Sequence, residues 1–497
     1  MKTRYYQYAV IAIAAMLLTA CNGIETVGLD ADSVISKHKT SLIRDVNVTQ
    51  NEAIGIANMF AHSNAGSDNP QTKGAFSSTK MISSSETIRE DGQNLMYVFN
   101  YQGGGFVIVG STRNYYPILA YSDEGSFILQ DDMGPVDVWL DETKVSIKNS
   151  SSLDNATKTQ MQDLWSRYDG TYIDPAQALL SSRRPQTRSA GEDSCWARID
   201  SLTLEHGSEG WTYLPLSFVE DLFTDLGLSN DYATICYYSE QNNSALNETV
   251  IGYRYPAVNQ VGPLLETEWH QGSPFNSLCP NEYPAGSADV ALGQIMKYQE
   301  LPDTLVWNGT TIQWSDIPVS PNTTPNKIPQ LMARLGQLFN ESYSSSGTST
   351  MLAYVLSGVM QVNCILSSLN SEAAYRAKVY NDHIPVLMYG TKTSYILSEN
   401  YMWVCDGVRQ AVYNQLQFYT ENQPNGEGHF YQGMYTYNNP GLLGQPVGTT
   451  IYSYHMNWGL QGGAYNGWFS SNYSYSSPIN YNENRSNYYL SENPLLP

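Results

Sequence analysis

Between residues 269 and 302 the chain reads WHQGSPFNSLCPNEYPAGSADVALGQIMKYQELP, and no other stretch limits its fold as tightly. A Gly/Pro-rich loop containing aromatic residues runs into a helix whose first turn opens at Gly286-Ser287. A helix N-terminus presents unpaired N–H groups and a partial positive charge, so it is a place where a nucleophile is activated. Ser287 holds that place.

The 497 residues predict two or three units of roughly 100–200 residues each. With 41% apolar and 15% charged residues, the chain is globular. Its 38 tyrosines suit strand-rich surfaces that stack on peptides or sugars, or amphipathic sheet faces. A net charge of −21 without a long basic run argues against nucleic acid, because phosphate neutralisation needs clustered Lys and Arg.

Lys2 and Arg4 precede the apolar run AVIAIAAMLL, residues 9–18, which is too short to span a bilayer and ends in Leu18-Thr19-Ala20-Cys21. This resembles a bacterial lipoprotein signal. The resemblance implies cleavage before Cys21, lipid attachment at Cys21 and an exported protein held at the outer membrane or cell surface. No later stretch is apolar enough for a transmembrane helix. After Cys21 there remain Cys195, Cys236, Cys279, Cys364 and Cys405, without the close pairs of a zinc or redox motif, so neither metal nor cofactor is expected.

Residues 21–49 are polar and read as a tether. In NEAIGIANMFAHS, Ala53, Ile56, Ala57 and Phe60 recur at helical spacing, with Asn51 or Thr49 as cap. LMYVFNY, GGFVIVGS and PILAYS then read as an antiparallel meander, with Gly103-Gly104-Gly105 as the first hairpin. A helix containing Met161, Leu164 and Trp165 closes a unit spanning 50–182. RRPQTRSAGED, in 183–194, reads as a linker and a candidate cleavage site. In the connecting segment 195–260, LSFVEDLFTDLGL reads as helix, and ATICYY and VIGYRY as strands. The last unit spans 261–497.

Four segments of that unit resemble the streptopain family of papain-like cysteine peptidases. PLLETEWHQGSPFN (263–276) is similar to its leading segment and AGSADVALGQIMKYQELP (285–302) to its nucleophile helix. SENYMWVCDG (398–407) is similar to the strand that carries its histidine, and YHMNWGLQGGAYNGWF (454–469) to its final signature. The stretch YVFNYQGGGFVIVGSTRNYYPILAYSDEGSF resembles the family's inhibitory propeptide, a domain also found as a free-standing protease inhibitor. The resemblance implies an α+β protein: a papain-like, two-subdomain fold behind a smaller α+β propeptide domain built on an antiparallel sheet.

Cysteine-peptidase chemistry needs a thiolate, a base paired with it and donors for an oxyanion. By the resemblance, the nucleophile's position is Ser287 and the histidine's is Tyr401, so both members of the dyad are substituted. A serine hydroxyl without an imidazole stays protonated at neutral pH, and a tyrosine, with a reference pKa of about 10, is a poor base there. Asp289, in the first turn of the helix, is expected to bring a negative charge that opposes a thiolate or oxyanion, and Ser287 to serve as the helix cap. Asn457 and Trp458 are retained and are expected to shape the cleft, whereas the family's second tryptophan is Leu460. Gln294 is expected to satisfy backbone groups of its helix. His270 and His455 are the candidates for a relocated base.

These residues imply a lipid-anchored homologue without peptidase activity, whose cleft binds a peptide or protein. A second reading makes the N-terminal unit an inhibitor of a cognate cysteine peptidase. A third is hydrolysis at Ser287 with another base.

Overall fold

The computed structural model describes residues 45–62, 80–168, 190–206, 211–216, 220, 250–254, 258–323, 326–393, 398–413, 415–420, 433–436, 449–470 and 485–494. The lipid-signal residues, most of the linker, LSFVEDLFTDLGL apart from Leu216 and Glu220, and ATICYY lie outside them. Among the described residues no helix is long and apolar enough to cross a membrane.

The first helix, α1 (Gln50–His62), starts as its sequence suggests: Thr49 Oγ1 accepts from Glu52 N–H while the Glu52 carboxylate accepts from Thr49 N–H at 2.8 Å. This reciprocal pair is a capping box. Residues 45–49, assigned to the tether by composition, already lie along the sheet, with Asn47 bridged to Thr112 and Val48 buried.

The meander is present and has one strand more than the sequence reading. Strands β1 (Ile82–Glu90), β2 (Gln93–Tyr101), β3 (Phe106–Gly110) and β4 (Ile118–Ser122) follow one another antiparallel. Gly103, Gly104 and Gly105 turn with φ of 79°, 96° and 97°, a region that side-chain-bearing residues rarely enter. Helix α2 (Pro135–Asn149) follows, then α3 (Asn155–Ser166), which carries Met161, Leu164 and Trp165. Helix α4 (Ala190–His206) begins inside the expected linker. VIGYRY supplies a strand, Val250–Arg254, in a separate four-stranded sheet.

In the C-terminal half, α5 (Ser287–Gln299), α6 (Ile328–Leu338) and α7 (Leu352–Met360) share one core, and α8 (Glu372–Tyr380) follows. Seven strands complete the large sheet: β5 (Asn259–Val261), β6 (Cys364–Leu369), β7 (Val386–Thr393), β8 (Ser398–Tyr413), β9 (Thr449–Asn457), β10 (Gly467–Ser470) and β11 (Arg485–Glu492). Their order is β1-β2-β3-β4-β10-β9-β8-β7-β11-β6, with β5 beside β8.

The N-terminal meander therefore does not stand apart. Edge strand β4 pairs with β10 through Ala120↔Phe469 and Tyr121↔Trp468, and eleven strands form one sheet. Helix α1 covers one face of the meander, burying Ile56, Ala57 and Phe60 with Val107, Val109 and Trp468. On the other face α2 buries Val136, Val138, Trp139 and Leu140 in a core shared with Trp403, Trp458 and Phe469. At about 1.5–3 kcal/mol for each fully buried large apolar side chain, this shared core is a major part of what holds the two halves together.

Side chains alternate across a strand. On β8, Met402 and Val404 enter the core under α5, while Tyr401, Trp403 and Cys405 belong to the face covered by α2. Gly390, on neighbouring β7, allows α2 its close approach: a Cβ there would come within 2.9 Å of Val138 and 2.8 Å of Trp403.

Candidate active site

Ser287 is the first residue of α5, half-buried, and the residue before it, Gly286, is the cap. The expectation that Ser287 caps the helix is thus corrected. The capping carboxyl is Asp289, whose Oδ2 accepts from Gly286 N–H at 3.2 Å. The Ser287 hydroxyl instead accepts from the backbone N–H of Met402 at 3.2 Å, which ties the helix start to β8.

Asp289 is fully buried, and its surroundings oppose the negative charge expected of it. Burial first, and then the facing Glu341, hold its carboxyl well above the usual carboxylate range. Burial raises Glu341 as well. Both carboxyls under the helix start are thus biased toward holding their protons. Two glycines make room for it: a Cβ on Gly286 would run into the Glu341 carboxyl, and one on Gly336 into the Tyr343 hydroxyl. Tyr343 and buried Cys279 border the same pair, and burial pushes the Cys279 thiol up to about 11.

Tyr401 faces away from α5. Its ring packs with Leu460 on the α2 side of the sheet, and its hydroxyl donates to Glu399 Oε2 at 2.8 Å. Burial, followed by that hydrogen bond and the nearby Asp132, raises the phenol far above its ordinary value, so it stays protonated. Over it lies the loop leading into α2. A Cβ placed on Gly134 would stand 3.6 Å from the Tyr401 ring and 3.9 Å from Leu460.

Glycine is needed at 134 because its φ is 57° with ψ −126°. The loop is pinned by its own carboxylates, since Gly134 N–H donates to Asp132 and Met133 N–H to Asp137, each at 3.0 Å. Lys392 of β7 reaches Asp137 at 2.6 Å and so fastens α2 beside Tyr401.

Asn457 and Trp458 are core residues, 3% and 1% exposed, rather than open cleft walls. The Asn457 side chain meets Gln294 of α5 and donates to Thr267 O at 2.8 Å. Gln294 also accepts from Trp269 N–H at 3.2 Å. It bridges α5 to β9 and the leading loop, where the sequence suggested a local role on its own helix. The Trp458 ring lies 5.4 Å from that of Trp403, tilted by 33°, and meets Phe469 edge-on at 5.1 Å.

The two histidines face other partners. His270 Nδ1 accepts from Gly272 N–H at 3.1 Å and its ring meets Phe275. His455 Nδ1 lies 2.6 Å from the buried Asp406 carboxylate. Among the described residues, neither is bonded to Ser287. Sequence reasoning missed Glu399, Glu341, Lys392 and the whole of α2. Only α2 had a signal: Pro135 at its start, then Val136, Trp139, Leu140, Thr143 and Ile147 at helical spacing. Cys21 lies outside the described residues.

A nucleophile-position helix packed on an antiparallel sheet, with a second α+β unit laid over the partner position, defines a peptidase-type domain with its inhibitory domain attached. The family comparison agrees: residues 269–469 match the Peptidase C10 family, and residues 45–147 match the Spi protease inhibitor. Residues 269–469 are thus a domain of the streptopain (C10) peptidase family, with an inhibitor-type domain ahead of it.

Among solved structures the chain is similar to a fragment of Prevotella intermedia prointerpain A, at 12% identity and a TM-score of 0.41, over 82% of this chain and 98% of that one. It is also similar to active interpain A from the same organism, at 14% identity and a TM-score of 0.30, over 46% of this chain and 94% of that one. No curated protein matches the chain.

Proposed function

We propose that this chain is a streptopain-family homologue that does not cut peptide bonds, is held at the cell envelope by lipid on Cys21, and acts by binding a peptide or protein. One observation carries the loss of activity. The Ser287 hydroxyl accepts from Met402 N–H, while the Tyr401 phenol is turned to the other side of β8 and donates to Glu399. A nucleophile needs a base that accepts its proton, and neither contact supplies one. The Met133-Gly134 loop covers the Tyr401 position, so a ligand at that address competes with the chain's own N-terminal unit.

The test is a peptidase assay on the protein without its signal, beside Ser287→Ala and Ser287→Cys/Tyr401→His. No turnover by the native protein is expected. Turnover that disappears in Ser287→Ala overturns the proposal and favours hydrolysis with another base. For the anchor, Cys21→Ser is expected to move the protein from the membrane to the soluble fraction, and unchanged partition refutes lipid attachment.

The inhibitor reading requires the N-terminal unit to be available to another enzyme, whereas β4 and α2 are both engaged within this chain. A fragment of residues 45–168 that inhibits an active family peptidase would favour that reading instead.

A further inference from the structure

The large sheet ends in two edge strands, β1 and β6, and they are built differently. Strand β1 is guarded: Glu86, Arg89 and Glu90 stand on it, and two register shifts interrupt its pairing with β2. Strand β6, Cys364-Ile365-Leu366-Ser367-Ser368-Leu369, has neither charge nor proline and pairs with β11 in unbroken register. Alternate residues of an antiparallel strand turn their N–H and C=O groups away from the neighbour. Half of the β6 backbone groups therefore face outward, and among the described residues no strand pairs with them.

Helix α7, which leads into β6, is equally bare. It turns Val355 and Val359 into a core shared with Cys364, and leaves Met351 at its cap, Tyr354 and Met360 exposed by 53%, 38% and 54%. From Ser342 to Ser371 the chain runs thirty residues without Asp, Glu, Lys, Arg or His, where its 15% of charged residues would place about four. The charges that bound this run are turned inward, Glu341 against Gly286 and Glu372 onto Arg376 and Tyr454.

Charge points to what covers this face. Two copies of a chain with a net charge of −21 repel one another, so they meet most readily where each is uncharged. An antiparallel strand edge is also self-complementary, since a two-fold axis normal to the sheet pairs β6 with β6 of a second copy. The same axis leaves both α7 helices on one face of the joined sheets. We propose that the chain forms a two-fold dimer through β6, edge to edge and antiparallel, with the exposed methionine and tyrosine side chains of α7 packing across the axis.

Sedimentation velocity on the protein without its signal, from nanomolar to high-micromolar concentration, is expected to show monomer passing to dimer. Ser368→Lys places a charge on the exposed edge, and Tyr354→Glu places one on α7; each should raise the dissociation constant at least about tenfold. Ser85→Lys, on exposed β1, should leave it unchanged. Hydrogen exchange needs no substitution: in the native chain the outward amides of residues 364–369 should exchange slowly where dimer forms and faster on dilution, while those of β1 stay constant. A monomer at every concentration, or a dimer indifferent to both Ser368→Lys and Tyr354→Glu, overturns the proposal. So does β6 protection that persists on dilution to monomer, which would show the edge to be held by another segment or a bound peptide. The exchange measurement on the native chain decides the matter even if a variant fails to fold.

Discussion

The side-chain amides of Gln294 and Asn457 face one another head to tail, each nitrogen 3.3 Å from the other's oxygen. Both residues are buried, and the pair joins the nucleophile-position helix to β9. Asn457 is therefore kept in this chain for a reason that requires no histidine. Gln294→Leu or Asn457→Leu strands its partner without water, at about 1–3 kcal/mol per stranded group. Chemical denaturation should show each variant less stable by that order. The double variant should fall short of the sum, and strict additivity would argue that the two amides are not coupled.

The Asp289–Glu341 pair gives stability a pH dependence of unusual sign for carboxyls. Both groups are raised in the folded protein, so the folded state binds protons more tightly than the unfolded one. Their contribution is complete below the unfolded values, near about pH 4, and declines as pH rises through the folded values, by about 1.4 kcal/mol per pH unit for each extra bound proton. Asp289→Asn should flatten that decline between acid and neutral pH in denaturation curves. A variant with the native slope would show that the pair does not hold the proton.

Glu142 of α2 and Arg485 of β11 form an ion pair in which both side chains are largely buried, and the guanidinium stands 5.7 Å from the Trp403 ring centroid. Removing one partner leaves a buried charge, which costs about 3–5 kcal/mol, whereas an apolar pair of similar volume is often tolerated. Glu142→Leu alone should lower the melting temperature strongly, and Glu142→Leu/Arg485→Met should recover most of the loss. A double variant as unstable as the single one would contradict this account.

Cutting the chain among the arginines of 183–193 should not free the N-terminal unit. Strand β4 is paired with β10, and α2 shares a core with Trp403 and Phe469. Limited trypsin digestion followed by gel filtration should give two fragments that travel together until denaturant is added. Separate elution in native buffer would show the seam to be weaker than its contacts.

The elements legible in the sequence were those whose pattern is local. Strands β2–β4 stood out as short β-branched and aromatic runs between turn residues, helix α1 carried a period-3.6 signal, and the loop-to-helix start at Gly286-Ser287 stood out by composition. The joining of β4 to β10 was not legible. ILAYS and GWFS are short and almost wholly buried, and nothing in either names the other as its neighbour. Glu341, in the polar run NESYSSS, reads as a solvated charge, and only folding brings it against Gly286. Tyr401 was found by its place in a motif, but the face to which its side chain turns depends on strand register, which motif order does not give.

The single sheet also has a consequence in time. The partner of Ala120 is Phe469, roughly 350 residues later in the chain, so β4 has no neighbour on that side until almost the whole polypeptide exists. An open strand edge recruits other strands, and a chain still being made carries this one through most of its synthesis. The interval between making β4 and making β10 is thus when this protein is most exposed to wrong pairing, and a factor that shields a naked edge would serve it most then.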